Sequence, residues 1–222
     1  MFGRRCIKFA PIAIAVTVLA ALPAVAYANA ITTLFNTGVD ASAMPQNNNA
    51  SEMHYTLLSV PGGTTGLRVA RSSSNTFPFP NWMADSSTSA WIGPNSGDAM
   101  SGPPGDYDYR TTFDLTGLNA ATASIKGQWS ADNYGVDIFL NGISTHNTAT
   151  DFRSFYNLSI TSGFIDGVNT LVFRVNNAPG AASNPTGLRT ELVGKADVPE
   201  PASMTLLGAG LLGLILTRSK RA

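Results

Sequence analysis

Apolar and polar residues alternate with a period of two along several short stretches of the chain. Tyr107, Tyr109, Thr111, Phe113 and Leu115 fall on one side of an extended backbone, with Asp108, Arg110, Thr112 and Asp114 on the other. A strand with one buried face requires this pattern. Val136, Ile138 and Leu140 alternate in the same way with Asp137, Phe139 and Asn141, and Leu171, Phe173 and Val175 with Val172, Arg174 and Asn176. The first-named set in each case is predicted to face the core, as is Trp129 in phase with Ile125. Strands are expected over His54–Val60, Leu67–Arg71, Tyr107–Leu115, Ala123–Ser130, Val136–Asn141, Phe152–Ile160, Thr170–Asn176 and Leu188–Val193. Gly, Pro, Asn and Asp separate them. Asn141-Gly142 and Asp166-Gly167 supply tight turns, because these residues tolerate positive φ. No amphipathic helix of ten or more residues is evident between Ile31 and Val198. Eight short strands without intervening helices predict an all-β fold, an antiparallel β-sandwich of jelly-roll type over residues 31–197. The Pro-rich stretch from Ser72 to Gly105, with Trp82 and Trp91, lacks the alternation and is expected to form a long loop over one end of the sandwich.

The two ends read differently. Arg4, Arg5 and Lys8 precede an apolar run from Ile12 to Leu22, followed by Ala26-Tyr27-Ala28 and Ala28-Asn29-Ala30. Basic residues, an apolar stretch of this length and small residues at A-x-A spacing predict a secretory signal peptide over 1–30, carried by the secretion translocon and cut after Ala30. At the other end, Val198-Pro199-Glu200-Pro201 forms a stiff extended segment. An uncharged stretch, Ala202–Thr217, and the basic tail 218–222 follow. Sixteen helical residues span about 24 Å at ~1.5 Å each, slightly short of a ~30 Å hydrocarbon core, so a transmembrane helix over 202–217 draws its flanks inward. The basic cluster holds the cytoplasmic side and leaves residues 31–197 outside.

Charge sharpens this division. The chain has 14 basic and 14 acidic residues, yet every acidic one lies between Asp40 and Glu200. That middle region carries a net charge of −6 between two basic ends. It lacks the clustered Lys and Arg that a phosphate-binding face needs, which argues against nucleic acid as a partner. Cys6, the one cysteine, leaves with the signal peptide, so the mature body folds without disulfides in an oxidising compartment. With two histidines and no further cysteine, Cys-rich zinc and iron–sulfur sites are excluded.

The tail, with Val198-Pro199-Glu200-Pro201, the helix bearing Gly208, Gly210 and Gly213, and the terminal Arg218, Lys220 and Arg221, closely resembles the PEP-CTERM sorting signal of Gram-negative bacteria. The resemblance implies processing near Pro199-Glu200-Pro201 by an exosortase, a membrane cysteine peptidase. An inner-membrane-anchored intermediate would then give a cell-surface or extracellular protein, of a kind linked to exopolysaccharide and biofilm. The runs Tyr109–Leu115, Ala131–Gly142 and Gly167–Asn177 resemble a galactose-binding-like jelly roll, in which a strand ending Leu-Asn-Gly precedes an aromatic strand and a Gly-x-Asn-x-Leu strand. Many such domains bind carbohydrate and others mediate protein contacts. The resemblance also implies a structural Ca²⁺, for which Glu52 and Glu191 are the candidate ligands. Solvated surface acids are the alternative reading of both.

No catalytic motif stands out. His54 and His146 have serines nearby, as every segment does, and Asp106, Asp108, Asp132 and Asp137 are candidate carboxylates only by number. A glycan site needs an aromatic platform with amide, carboxylate or guanidinium groups around it. Trp82 and Trp91, Asp132, Asn133 and Tyr134, and Arg153 and Asn177 are the candidates. The competing reading makes Trp82 and Trp91 a satellite core. The expectation is therefore a non-enzymatic, exosortase-sorted binding or structural protein, with exopolysaccharide as partner. A secreted carbohydrate-active enzyme and a self-associating matrix protein are the alternatives.

Overall fold

The computed structural model describes residues 28–63, 66–94, 100–180, 184–199, 208–210 and 213. The chain divides into two compact units, Ala26–Pro199 and a second formed by Met1–Val25 with Glu200–Ala222. In the second unit only Gly208, Ala209, Gly210 and Gly213 are described, all helical. The expected signal segment up to Tyr27, Glu200, Pro201 and most of the expected membrane helix lie outside the described residues. Among those described, no helix is long and apolar enough to cross a membrane.

The larger unit is all-β. Among the described residues eleven strands form it: β1 Ala28–Ala30, β2 Thr56–Ser59, β3 Arg68–Ala70, β4 Trp91–Gly93, β5 Gly105–Asp114, β6 Ser124–Asp132, β7 Tyr134–Leu140, β8 Ile143–Ser144, β9 Tyr156–Ile160, β10 Val168–Asn177 and β11 Gly187–Asp197. They make two antiparallel sheets. One has the order β3-β4-β11-β6-β9 with β1 added to β11, and the other runs β2-β5-β10-β7-β8. Each of the eight expected strands coincides with a strand here. β1, β4 and β8 are additional, and β4 falls inside the stretch read as loop.

The two sheets enclose the main core. Tyr107, Tyr109, Phe113, Leu171, Phe173, Val175, Ile138 and Leu140 from one sheet meet Ile125, Trp129, Ala131, Leu158, Ile160, Leu188 and Leu192 from the other. Trp129 and Phe173 touch across the gap, their ring centroids 5.7 Å apart. Asn141 and Gly142 take φ of 51° and 83° and join β7 to β8 in the two-residue hairpin their chemistry dictates.

Val136 departs from the expected pattern. It is 38% exposed, because the pairing of β7 with β10 shifts register between Arg174 and Val175, where Val175 faces Gly135. The bulge turns Gly135 inward instead. A Cβ on Gly135 would lie 2.1 Å from the Trp129 ring, so the indole occupies the space a side chain would need.

Candidate functional site

Residues 72–94 of the stretch read as a loop over one end of the sandwich lie instead on the outer face of the six-stranded sheet. On β11 the outward positions are Gly187, Arg189 and Glu191, and on β6 they are Gln128, Ser130 and Asp132, paired in that sheet as Asp132 with Gly187, Ser130 with Arg189 and Gln128 with Glu191. Trp82 sits on this face because Gly187 leaves it room: a Cβ there would be 2.5 Å from the indole. Its Nε1 donates to Asp132 Oδ2 at 2.7 Å. Trp91 packs beside it at 4.4 Å between centroids and donates its Nε1 to the Met83 carbonyl at 2.9 Å. Phe79 stands edge-on to Trp82 at 6.0 Å. With Ala70 and Met100 these residues form a second, separate core cluster.

This corrects the glycan-platform reading of Trp82 and Trp91. Both are buried, at 2% and 0% exposure, with their indole N–H groups already bonded, so neither offers a face to a sugar. Asp132 is buried beneath Trp82, and burial pushes its carboxyl up to about 6, against the pull of the Trp82 N–H and of Arg153. Asn177 is buried too and ties loops together, donating to the carbonyls of Gly102 and Pro103 at 2.9 and 3.2 Å. Asn133 accepts from the Ala178 N–H at 2.7 Å. Tyr134 and Arg153 are exposed, the former on β7 and the latter over the Phe152 ring at 4.9 Å. The seven residues therefore form no single glycan surface.

Glu52 and Glu191, the residues expected to bind Ca²⁺, each have hydrogen-bond donors on their carboxylates. Glu52 accepts from the backbone N–H groups of Gly38 and His54 at 2.9 and 2.8 Å. Glu191 accepts from the hydroxyls of Ser86 and Ser89 at 2.7 and 2.8 Å and from the Gln128 amide at 2.8 Å. The Arg189 guanidinium lies 3.4 Å away. Burial alone would raise the Glu191 pKa, but these hydrogen bonds hold it down to about 2. A donor set containing a guanidinium repels a cation. Among the described residues no three His, Cys, Asp or Glu gather as metal ligands. What the arrangement does instead is fasten the 84–89 segment. Arg189, 1% exposed, donates Nε to Ser89 Oγ at 2.8 Å and NH1 to the Ala84 carbonyl.

Neither histidine forms a hydrolytic triad. His54 stacks on Phe35 at 3.8 Å. Asp137, Ser144 and His146 do gather on the β7–β8 hairpin, with Ser144 Oγ donating to Asp137 and lying 3.1 Å from His146 Nδ1. The carboxylate holds the hydroxyl rather than orienting the imidazole, the reverse of the order nucleophilic catalysis needs.

One cleft opens beside the Trp82 cluster. Its walls are the Asn48–Asn49 loop, Val69–Ala70 of β3 and the segment from Ser74 to Phe79, with Met100 also lining it, and it is a shallow hollow enclosing about 10 Å³, room for one water. Phe77 lines it while remaining 42% exposed. Sequence reasoning missed these residues. They come from three separated segments with no common spacing, and the one local signal is an aromatic residue held between turn and proline in Thr76-Phe77-Pro78.

At the C-terminus, β11 stops at Asp197, and Val198 and Pro199 leave the sheet exposed. The sorting segment thus starts where sheet pairing ends. Residues 197–221 match the PEP-CTERM protein-sorting motif. Through this tail the chain is an exosortase substrate, an exported, membrane-passing protein bound for the cell surface. Comparison with curated proteins gives no match.

Proposed function

We propose that the chain is delivered through the secretion translocon of a Gram-negative cell, cut by exosortase near Pro199-Glu200-Pro201, and left at the cell surface or in the matrix as a non-catalytic β-sandwich of galactose-binding-like, jelly-roll type. Its body acts as a binding or structural module, with exopolysaccharide as its partner. The observation that carries this reading is the position of the sorting motif: it begins at the last residue of β11, so a cut just beyond Pro199 leaves every strand of the body intact. The acidic, thiol-free composition of residues 31–197 suits life outside the cytoplasm.

The test is to express the full chain in a host carrying an exosortase, beside a variant with Pro199→Ala and Glu200→Ala. Fractions are then weighed by intact-mass spectrometry. The wild-type chain is expected to lose its tail and appear at the surface or in the medium, while the variant stays in the membrane fraction with its tail uncut. Full-length wild-type chain in the cytosol, or equal processing of the two, overturns the reading.

A further inference from the structure

We infer that the end of the sandwich from which the sorting tail departs docks on the zwitterionic headgroup layer of the membrane that the tail enters, an inference that rests on the tail-anchored stage of the delivery proposed above. The topology defines that end. β11 finishes at Asp197, and β1 starts opposite it, with Ala28 paired to Asp197. The chain therefore enters and leaves the body at the same end. In the sequence an apolar run, Ile12–Leu22, precedes the entry point, and the uncharged stretch Ala202–Thr217 follows the exit point.

Hydrogen bonds carry this end across to the other sheet. The Asp197 carbonyl accepts from the Asn119 N–H at 2.7 Å, and Leu115, at the far side of the same loop, donates its N–H to the Gly167 carbonyl at 2.9 Å. Val168 then opens β10 opposite Asp114, the last residue of β5. The Asn169 amide donates to the Ile165 carbonyl at 2.7 Å, and its Oδ1 accepts from the Ile165 N–H and from the Asn141 amide, each at 2.9 Å. The β7–β8 hairpin, with Ile143 beside its turn, is thereby joined to the same end.

Four aliphatic side chains stand in solvent here. Ile143 and Val168 are 63% and 62% exposed, and Ile165 and Val198 are exposed as well. The Asn169 that ties their backbones together is buried, so they sit on a fixed scaffold. Exposed apolar residues gathered in this way mark an interaction surface, and each gains by leaving water. Charge narrows the partner. Asp114, Asp166 and Asp197 lie at this end with Lys195. Attraction to anionic lipid needs a cluster of Lys and Arg, whereas carboxylates suit the ammonium groups of zwitterionic heads.

Length favours lipid over a second copy. Four residues, Val198–Pro201, separate β11 from the uncharged stretch. At ~3.3 Å each they reach about 13 Å, and the headgroup layer is roughly 5–8 Å deep. The tether is too short to hold this end away from the lipid surface.

The experiment uses the uncut chain, exported by a host without exosortase and reconstituted into phosphatidylethanolamine–phosphatidylcholine vesicles. Cys6→Ser removes the one cysteine, and an environment-sensitive fluorophore is attached to Ile165→Cys, to Val168→Cys or to Tyr134→Cys. Tyr134 pairs with Asn176, which pairs with Asp106, so it marks the opposite end. Circular dichroism verifies the fold of each variant. The labels at 165 and 168 are expected to shift to the blue in vesicles and to lose most of their emission when brominated lipid is included, while the label at 134 keeps its aqueous emission. Adding Ile143→Ser and Val198→Ser to Val168→Cys is expected to shrink the shift, and adding phosphatidylglycerol is expected not to enlarge it. Aqueous emission at 165 and 168 in vesicles, equal shifts at all three positions, or a shift that grows with phosphatidylglycerol overturns the inference. A shift in lipid-free processed protein that grows with protein concentration assigns the patch to a second copy and overturns it too. Flotation of the uncut chain with the vesicles, read on the same samples, separates failure of this docking from failure of the export reading.

Discussion

Replacing Asp132 with Asn tests what the carboxyl beneath Trp82 does to stability. The side chain is buried, and its pKa rises from the ordinary 3.8 to about 6. Below pH 3.8 the folded and unfolded chains both hold the proton. As pH rises, the unfolded chain releases it near 3.8, whereas the folded chain keeps it until about 6. Stability is therefore lost across that window and stays lost above it. A rise of about two units at ~1.36 kcal/mol each amounts to about 3 kcal/mol. D132N keeps an oxygen for Trp82 Nε1 and cannot ionise, so it escapes this loss. Its new N–H₂ group needs a partner, which trims the net gain at neutral pH to about 1–2 kcal/mol. For a domain of this size that gain raises Tm by roughly 2–8 °C. The assay is urea unfolding of both proteins at pH 4 and pH 7.5. Glu191, held down to about 2, contributes stability that is present above 4.5 and lost toward 2, mostly outside the window. Shifts common to both proteins cancel in the difference. Wild type is expected to lose about 2.5 kcal/mol more than D132N between the two pH values, because at pH 4 the unfolded carboxyl is already partly ionised. Equal pH slopes would refute the link between burial and the raised pKa.

Three further outcomes follow from the packing. Trp82→Ala removes a fully buried indole and leaves Asp132 without its donor, so it is expected to destabilise the fold by about 3–5 kcal/mol in urea unfolding. Gly135→Ala sets a methyl group 2.1 Å from the Trp129 ring, and is expected to cost about 1–3 kcal/mol or more with a visible change in tryptophan fluorescence. Because Glu52 and Glu191 are surrounded by donors, the Tm of the processed protein is expected to stay the same with EDTA and with added Ca²⁺, as read by differential scanning calorimetry.

The strands were legible because their signal is local. Tyr107 to Leu115 and Leu171 to Val175 alternate strictly, and both bury the predicted side. Val136 misled because a bulge is set by the partner strand, and the ring that occupies the Gly135 position comes from Trp129, in another sheet. The hidden polar residues were less legible still. Asp132 and Arg189 look like surface groups on alternating strands, and they become buried because residues 72–94 fold back across the outer face; Asn177, at the end of β10, is covered by the 102–103 segment. Burial of that kind comes from contacts about 50 to 100 residues apart. β4 escaped notice for a related reason: three residues pair with β3 and β11, with too little sequence for any period to register. The cleft joins residues near 48, 76 and 100, and pairwise spacing along the chain carries no trace of that meeting. The sorting motif was legible because its residues are contiguous in the sequence.

β11 is the last strand among the described residues, yet it occupies the interior of its sheet, between β6 on one side and β4 and β1 on the other. On the proposed route, N-terminus first, β4 and β6 cross before the strand that joins them. Closure depends on long-range pairing, which is slow to begin. On that route the sheet closes only after its last described strand has crossed.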